Sequence, residues 1–253
     1  MPYRSILLPI FSLATLILIW EICTWTFAIP AYLLPAPSAI WVAGWDIAGV
    51  FPRHIWATLY TVLAGFFVSV AIAIPLGIGI SINKVASESF YPLLIFANAI
   101  PVIAIAPIIV VMFGTGIESR LVINFLVCFF PIMVATATGV LDTPKDYLDL
   151  SKASGSSFLT EMATIRMPHA APFIFSGLKI GMTLSVIGAV VGEFITSQKG
   201  LGYLIISATT NFDLPQAMAS VIVLAFMSVI LYQSVQYVQR IWLPWSIKAN
   251  AMT

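Results

Sequence analysis

Residues 142–172 read DTPKDYLDLSKASGSSFLTEMATIRMPHAAP, the longest stretch of the chain that cannot lie inside a bilayer. Its pattern predicts two short helices joined by a turn. Thr143 is a typical N-cap with Pro144 at the first helical position, and Gly155 is a typical terminator because glycine tolerates positive φ. We therefore expect a first helix over about 144–154.

The second predicted helix starts after Ser156 or Ser157, either of which is able to cap it. Its apolar residues recur at helical spacing and are expected to share one face, and Pro168 is expected to disrupt the helix. These apolar residues are Phe158, Leu159, Met162 and Ile165. The pattern predicts a short amphipathic helix on a tight turn between two membrane spans. By composition alone, an ordinary cytoplasmic loop that happens to be helical is the simpler interpretation.

The spacing in this stretch resembles the signature of binding-protein-dependent ABC importer permeases. That signature reads Glu-Ala-Ala, three residues, Gly, nine residues, then Ile-x-Leu-Pro. Here Asp149 stands where the family has Glu, and Leu150 and Ser151 stand for the two alanines. The later positions match, apart from Met in place of Leu: Gly155, Ile165, Met167 and Pro168.

In that family the loop is the coupling helix, which docks into a groove of a cytoplasmic ATPase. The resemblance therefore implies a coupling role for Asp149, Leu150, Ser151, Gly155, Phe158, Leu159, Met162, Ile165 and Pro168. It also implies a second copy of this chain, two ATPase subunits inside the cell and a substrate-binding protein outside. ATP and Mg would belong to the ATPase, and no cofactor is expected in this chain.

Composition independently indicates a polytopic membrane protein. The 253 residues are 60% hydrophobic and 8% charged, with a mean hydropathy of +1.04, whereas soluble domains carry about 25% charged residues. The net charge of +1 argues against a nucleic-acid partner. Cys23 and Cys128 lie far apart in apolar runs and make neither a disulfide framework nor a metal pattern. His54 and His169 are isolated, and we interpret both as structural.

Six apolar stretches are long enough to cross a bilayer, because about 20 residues at about 1.5 Å each cover about 30 Å. They are expected at about 6–29, 56–82, 91–113, 121–141, 172–196 and 216–239. The first is longer than a signal-peptide core and no small-residue cleavage site follows it, so we interpret it as a retained span. We expect one all-α transmembrane domain over 1–253, with the coupling loop at 142–171. The resemblance implies the type I importer fold with six transmembrane helices.

The lysine and arginine residues predict the orientation of the spans. With the N-terminus inside, seven are cytoplasmic and three external, which satisfies the positive-inside rule. The cytoplasmic ones are Arg4, Lys84, Lys145, Lys152, Arg166, Arg240 and Lys248, and the external ones are Arg53, Arg120 and Lys199. We expect a multi-pass protein of the bacterial inner membrane with both termini in the cytoplasm.

Polar residues and breakers inside the spans are candidates for a translocation pathway, although hydrogen bonding between helices is their commoner use. The candidates are Asn98 and Pro101 in the third span and Ser185 and Glu193 in the fifth. Glu193 lies near the outer end of its span, where we expect hydration or pairing with Lys199. Lys179 lies within two turns of the cytoplasmic end, and snorkelling of its ammonium is the favoured interpretation.

Two external segments carry further resemblance to the same family. Residues 33–38 read LLPAPS, similar to a Leu-Pro-x-Pro-Ser segment of the nitrate, sulfonate and taurine branch, and Ser38 is a candidate cap for a short helix through Trp45. Residues 200–206 read GLGYLII, too short to span, and resemble the family's external gate, which meets the binding protein. This implies gate roles for Gly200, Gly202 and Tyr203.

The chain has no phosphate-binding loop of the Gly-x-x-x-x-Gly-Lys-Ser/Thr type, so energy is expected to come from a partner. The resemblance implies an importer permease rather than an enzyme, for a small, anionic solute such as nitrate, a sulfonate or taurine. A vitamin precursor or an aromatic carboxylate is the alternative, and we favour selectivity in the external protein. An ion-coupled transporter would depend on Glu21, Lys179 or Glu193, and a membrane enzyme would need a cluster of ionisable residues that the spans lack.

Overall fold

The computed structural model describes residues 2–82 and 84–245. Within these residues the regular structure is helical and consists of eleven α-helices and one π-helical turn. The helices are α1 (Pro2–Thr26), α2 (Pro37–Asp46), α3 (Phe51–Ile82), α4 (Lys84–Asn98), α5 (Val102–Phe113), α6 (Ile117–Leu141), α7 (Lys145–Ala153), α8 (Phe158–Glu161), α9 (Met167–Thr196), α10 (Leu201–Thr210) and α11 (Leu214–Trp242). The π-helical turn (Met162–Arg166) lies between α8 and α9.

The chain divides into two compact units. One contains Met1–Ala57 and Gln198–Phe226, and the other contains Thr58–Ser197 and Met227–Thr253. The boundaries fall inside α3 and α11, so both helices contribute to both units. The single permease domain over 1–253 stays a prediction.

Five helices in the described residues are long and apolar enough to cross a membrane. They are Leu7–Thr26, Phe51–Ile82, Ile117–Leu141, Phe158–Thr196 and Leu214–Trp242. A sixth span is reached if Val85–Asn98 and Val102–Phe113, which meet at an angle of 89°, count as one broken span. The break falls at Pro101, whose missing N–H cannot continue the helical hydrogen bonds. The prediction of an all-α protein with six spans is confirmed, with the bent pair as the third span, which the sequence analysis expected at about 91–113.

The prediction that Pro168 disrupts the second short helix is confirmed in part, because the regular α-helix Phe158–Glu161 gives way to the π-helical turn before Pro168. The helical path continues from Phe158 through the π-helical turn and Pro168 to Thr196. A π-helical turn is wider than an α-helical one, and this turn directly precedes α9, so it makes room for the proline ring and its missing donor. The fifth span and the second short helix are consequently one continuous element.

Helices α6 and α9 form the packed centre of the second unit. They approach closely because glycines face the partner helix: a Cβ added at Gly177 would lie 2.6 Å from the Cβ of Ala135, and one at Gly188 would lie 3.1 Å from the Cα of Asn124. Small residues at helix contacts are the usual way to bring backbones together in lipid. This pair carries the coupling segment, because α6 leads into it and α9 follows it.

Candidate functional site

Helix α7 ends at Ala153, and Gly155 terminates it two residues later, as predicted. Gly155 has φ +68°, its N–H donates to the carbonyl of Lys152 (3.0 Å), and the N–H of Ser156 donates to the carbonyl of Ser151 (3.1 Å). These two bonds define a Schellman motif, which satisfies the last helix carbonyls and requires a left-handed residue at this position. The terminator prediction for Gly155 is confirmed.

The predicted N-cap of α7 is wrong. Pro144 occupies the N-cap position and the helix begins at Lys145. The hydroxyl of Thr143 instead donates to the carbonyl of Val140 (2.9 Å) in the last turn of α6, and the side chain is buried. Threonine hydroxyls often bond to a carbonyl three or four residues earlier, and here that local bond wins over capping.

The start of α8 and the turn that follows it are held by side chains. Ser157 is the N-cap, and its Oγ accepts from the backbone N–H of Thr160 (3.2 Å), which confirms one of the two predicted caps. At the π-helical turn, Arg166 Nε donates to Glu161 Oε1 at 2.8 Å. The two residues are five apart, which is the hydrogen-bond spacing of a π-helix, so the ion pair stabilises this turn.

The apolar residues of the second helix do not share one face. Leu159 is 77% exposed and Phe158 is also exposed, whereas Met162 packs against the buried cluster of Val140, Ala170 and Ile174. The π-helical turn begins at Met162 and changes the register on which the single-face prediction depended.

On α7, neighbouring signature residues differ in exposure. Leu150 is 65% exposed, whereas Ser151 is 5% exposed. Ser151 therefore faces into the chain, and Leu150 and Leu159 are the most exposed of the large apolar side chains on the segment, ahead of Tyr147 and Phe158.

A side-chain contact joins the two ends of the coupling segment, which is the loop at 142–171. His169 Nε2 lies 3.2 Å from Asp142 Oδ2, which joins the end of α6 to the start of α9. One turn away, a Cβ added at Gly139 would lie 2.7 Å from the Cβ of Phe173. The interpretation of His169 as structural agrees with this contact.

A buried polar network centres on Asn124, which sequence reasoning missed. Asn124 Nδ2 donates to the carbonyls of Thr61 (2.9 Å) and Ser185 (3.2 Å). Ser185 Oγ lies 2.8 Å from both Asn124 Oδ1 and the carbonyl of Val62. Asn124 is an amide in the fourth predicted span, and the rule that singled out Asn98 would have found it.

Ser185 and Glu193 lie in this helix packing, and both are fully buried. Thr58 Oγ1 donates to Glu193 Oε2 at 3.0 Å. The expectation that Glu193 is hydrated is therefore wrong, because its position along α9 faces a neighbouring helix. Ser185 is hydrogen-bonded inside this packing, and the pathway roles of Ser185 and Glu193 and the pairing of Glu193 with Lys199 stay predictions.

Asn98 and Pro101 are placed differently. Both lie at the break between α4 and α5 and line a cavity of about 340 Å³. Residues of α6 and α9 complete its wall, including Val127, Phe130 and Ile187. Of the four predicted pathway residues, the fold therefore brings these two together at a cavity.

The predicted gate residues surround the start of α10 in the first unit. Gly200 has φ +118°, and its N–H and carbonyl lie 3.0 and 2.9 Å from His54 Nδ1. The ring of Tyr203 is parallel to that of His54 at a centroid distance of 6.0 Å, and Gly202 is buried. His54 thus has the structural role that was predicted, because it holds the glycine that begins the helix.

The predicted cap of α2 is wrong. Helix α2 begins at Pro37 with Ala36 at the N-cap, and Ser38 lies inside its first turn. The carboxylate of Glu21 accepts from both the backbone N–H (3.0 Å) and the hydroxyl (2.7 Å) of Ser38. A carboxylate at a helix N-terminus is stabilised by the orphan N–H groups and the helix dipole. This contact explains why the first span contains a carboxylate at Glu21.

No three His, Cys, Asp or Glu residues within 2–82 and 84–245 are grouped so that they could hold a metal ion. Lys248, one of the residues used for the orientation, lies outside the described residues. The cytoplasmic location of the termini stays a prediction.

The described residues form a multi-span helical membrane protein with a helix–turn–helix segment between two tightly packed spans. The chain belongs to the family of binding-protein-dependent transport system inner membrane components, whose model matches residues 69–246.

Curated relatives and a solved structure agree with this assignment. The formylaminopyrimidine transport permease protein ThiX of Halalkalibacterium halodurans is 34% identical over 95% of this chain and 96% of its own length. The riboflavin transport system permease protein RibX of Chloroflexus aurantiacus is 31% identical over 94% and 89%. The taurine transport system permease protein TauC of Escherichia coli is 26% identical over 96% and 90%, consistent with the nitrate, sulfonate and taurine branch.

An inward-facing structure of the MetNI methionine ABC transporter matches with a TM-score of 0.66 at 16% identity, covering 77% of this chain and 97% of the other. This match supports the type I importer permease fold.

Proposed function

We propose that this chain is the membrane subunit of an ATP-driven importer in the inner membrane, and that α7 with its Schellman turn is the coupling helix. Two copies of the chain would work with two ATPase subunits and an external binding protein, and the ATPase subunits would hold ATP and Mg. The observation that supports this best is the exposed apolar pair, Leu150 and Leu159, on a segment between α6 and α9. Exposed apolar side chains on an ordered segment are typical of a partner contact.

The geometry gives a route for transmitting force. The Asp142–His169 contact and the close approach of Gly139 to Phe173 join the two ends of the segment. A push on α7 therefore acts on α6 and α9 together. When the ATPases close on ATP, the two coupling helices of the dimer would approach each other and move the bundle from inward-facing to outward-facing.

The Gly155→Asp variant tests the docking role. No atom lies within 4 Å of a Cβ added at Gly155, and aspartate tolerates the left-handed region better than most residues, so the protein should still fold. We expect the added charge at the docking turn to separate ATP hydrolysis from uptake. The measurement is the ratio of solute uptake to ATP hydrolysis in proteoliposomes.

Gly155→Asn is the matched control, because it has the same shape and backbone tolerance without the charge. We expect it to keep most of the coupling. Normal coupling in Gly155→Asp would exclude docking at this turn. Purification of the chain in mild detergent without any ATPase subunit would contradict the importer proposal as a whole.

For the solute, we propose a small anion of the sulfonate or carboxylate kind. Pathway roles then fall to Asn98 and Pro101 at the cavity beside the α4–α5 break, and gate roles to Gly200, Gly202 and Tyr203. A second candidate is a nitrogen heterocycle, because two of the relatives above 30% identity are named for formylaminopyrimidine and riboflavin transport. Ligand binding by the external binding protein would separate the two candidates.

A further inference from the structure

A second cavity of about 300 Å³ lies beside α9 in the second unit, apart from the break between α4 and α5. Its volume falls at the lower end of the range of small-molecule sites, about 300–1,000 Å³. Its lining residues are Ser176, Lys179, Ile180, Thr183 and Leu184 of α9 and Tyr232 of α11. Four of these six side chains end in a polar group, which is unusual for a surface within membrane spans.

Lys179 supplies the charge of this cavity. It is the only lysine or arginine in any of the six predicted spans. It is half-buried, and among the described residues no carboxylate forms an ion pair with its ammonium. A cation at membrane depth is costly and normally has a partner or faces a water-filled space. The ammonium of Lys179 therefore has no counter-ion among the described residues.

Three hydroxyl groups line the same cavity as Lys179. Ser176 lies one helical turn before Lys179, and Tyr232 faces the same cavity from α11. Thr183, one turn after Lys179, is committed elsewhere, because its Oγ1 donates to the Lys179 carbonyl (3.2 Å). The donors available to a ligand are thus the ammonium of Lys179 and the hydroxyls of Ser176 and Tyr232.

The packing of α9 fixes the direction of this polar face. Gly177, Gly181 and Gly188 lie against α6, where added Cβ atoms would come within 2.6 to 3.1 Å of α6 atoms. At about 100° per residue, Ser176, Lys179 and Thr183 lie on roughly the opposite side of α9. The polar face therefore points away from the α6 contact.

We infer that this cavity is a binding site for the anionic group of the transported solute, a sulfonate or a carboxylate. Lys179 provides the charge, and Ser176 and Tyr232 orient the oxygens. The inference rests on the proposed function and narrows it, because it assigns part of the selectivity to the permease. An uncharged heterocycle would leave the ammonium without a counter-charge, so the site favours the anion over the second candidate solute.

The test uses the complete transporter, purified with its ATPase subunits in nanodiscs and without the external binding protein. Radiolabelled ethanesulfonate and benzoate are the anionic probes, and riboflavin is the uncharged probe. We expect Lys179→Met to weaken binding of both anions at least about tenfold, because hydrogen bonds to charged groups contribute about that much or more. Lys179→Arg, which keeps the charge, should stay within about threefold of the natural protein.

Two further variants and one control sharpen the test. Ser176→Ala and Tyr232→Phe should each weaken anion binding by about threefold to tenfold, because each removes one donor. Thr196→Val is the matched control: Thr196 lies on the same helix and donates to the Gly192 carbonyl (2.9 Å), as Thr183 does to Lys179, but it does not line the cavity. Its anion affinity should be unchanged.

Equal anion affinity in Lys179→Met and the natural protein would overturn the inference and support snorkelling. Equal loss in Lys179→Arg and Lys179→Met would also overturn it, because recognition would not depend on charge. Absence of anion binding in the natural transporter, or binding of riboflavin alone, would do the same. Each of these outcomes leaves the importer proposal intact if ATP-driven uptake stays coupled. Failure to recover ATPase subunits with the chain would instead contradict the importer proposal.

Discussion

The contact between α6 and α9 and the coupling segment over α7 and α8 are adjacent in sequence but are stabilised in opposite ways. Between α6 and α9, glycines permit close backbone approach and the polar atoms of Asn124 and Ser185 find partners inside the bundle. On the coupling segment, Leu150 and Leu159 remain exposed.

The difference follows from the solvent of each region. Lipid gives helices no hydrophobic reason to associate, so spans depend on close packing and internal hydrogen bonds. In water, an exposed leucine is a cost until a partner covers it. The contact between the spans is thus made within one chain, whereas the coupling segment leaves apolar side chains exposed, which is the feature on which the proposed ATPase contact rests.

The largest expected effect comes from filling the contact between the spans. Gly177→Val places a side chain 2.6 Å from Ala135 Cβ and near the backbone of Ile132, and overpacking of this kind costs about 3 kcal/mol of stability. Thermal unfolding in detergent, followed by tryptophan fluorescence, should show a clearly lower Tm. Gly79→Val is the matched control, since nothing lies within 4 Å of a Cβ added there. Similar Tm losses in both variants would contradict the packing role of Gly177.

A smaller effect is expected from the ion pair at the π-helical turn. Glu161→Gln removes the charged acceptor from Arg166, and hydrogen bonds to charged groups contribute about 2 kcal/mol when partly buried. The Tm should fall, and the turn should become more accessible to hydrogen exchange.

The surface pair Asp149–Lys152 is the comparison for this variant. Its charged atoms are 3.6 Å apart and its side chains are 75% and 69% exposed, against 9% and 17% for Glu161 and Arg166. Because exposed pairs contribute about 0–1 kcal/mol, Asp149→Asn should leave the Tm nearly unchanged. A larger Tm loss in Asp149→Asn than in Glu161→Gln would mean that the surface pair, and not the pair at the π-helical turn, contributes more to stability.

The smallest effect on stability is expected from Leu159→Ser. The side chain is 77% exposed, so the free energy of unfolding should change by about 0.5 kcal/mol or less. Recovery of ATPase subunits in mild detergent should nevertheless fall, because the variant removes apolar area from the proposed contact. A large drop in Tm with normal ATPase recovery would mean that Leu159 belongs to the folded core instead.

The local chemistry of the sequence was sufficient to predict the spans and the turn between α7 and α8. Hydropathy over about 20 residues located the spans, and Gly155 and Ser157 marked the turn and the start of α8, because each acts on backbone groups within a few residues. The family signature also lies within one short stretch, so it was legible without a structure.

Hydropathy along a chain does not say which way a helix faces. For that reason Asn124 and its bonds to Ser185 were overlooked, Glu193 was expected to be hydrated, and the position of Lys179 beside Tyr232 was not foreseen. Two local signals were also incomplete: Glu21 rather than Ser38 serves the start of α2, and the helical path continues beyond Pro168 after a π-helical turn.

The sequence by itself determined that the chain crosses a membrane as helices and where the coupling turn falls, because both depend on neighbouring residues. Only the tertiary structure decided which polar side chains are paired inside the bundle and which face a cavity. That choice depends on the rotation of each helix about its axis, and the rotation is fixed by glycines and side chains more than fifty residues apart, such as Asn124 and Ser185 (61 residues apart).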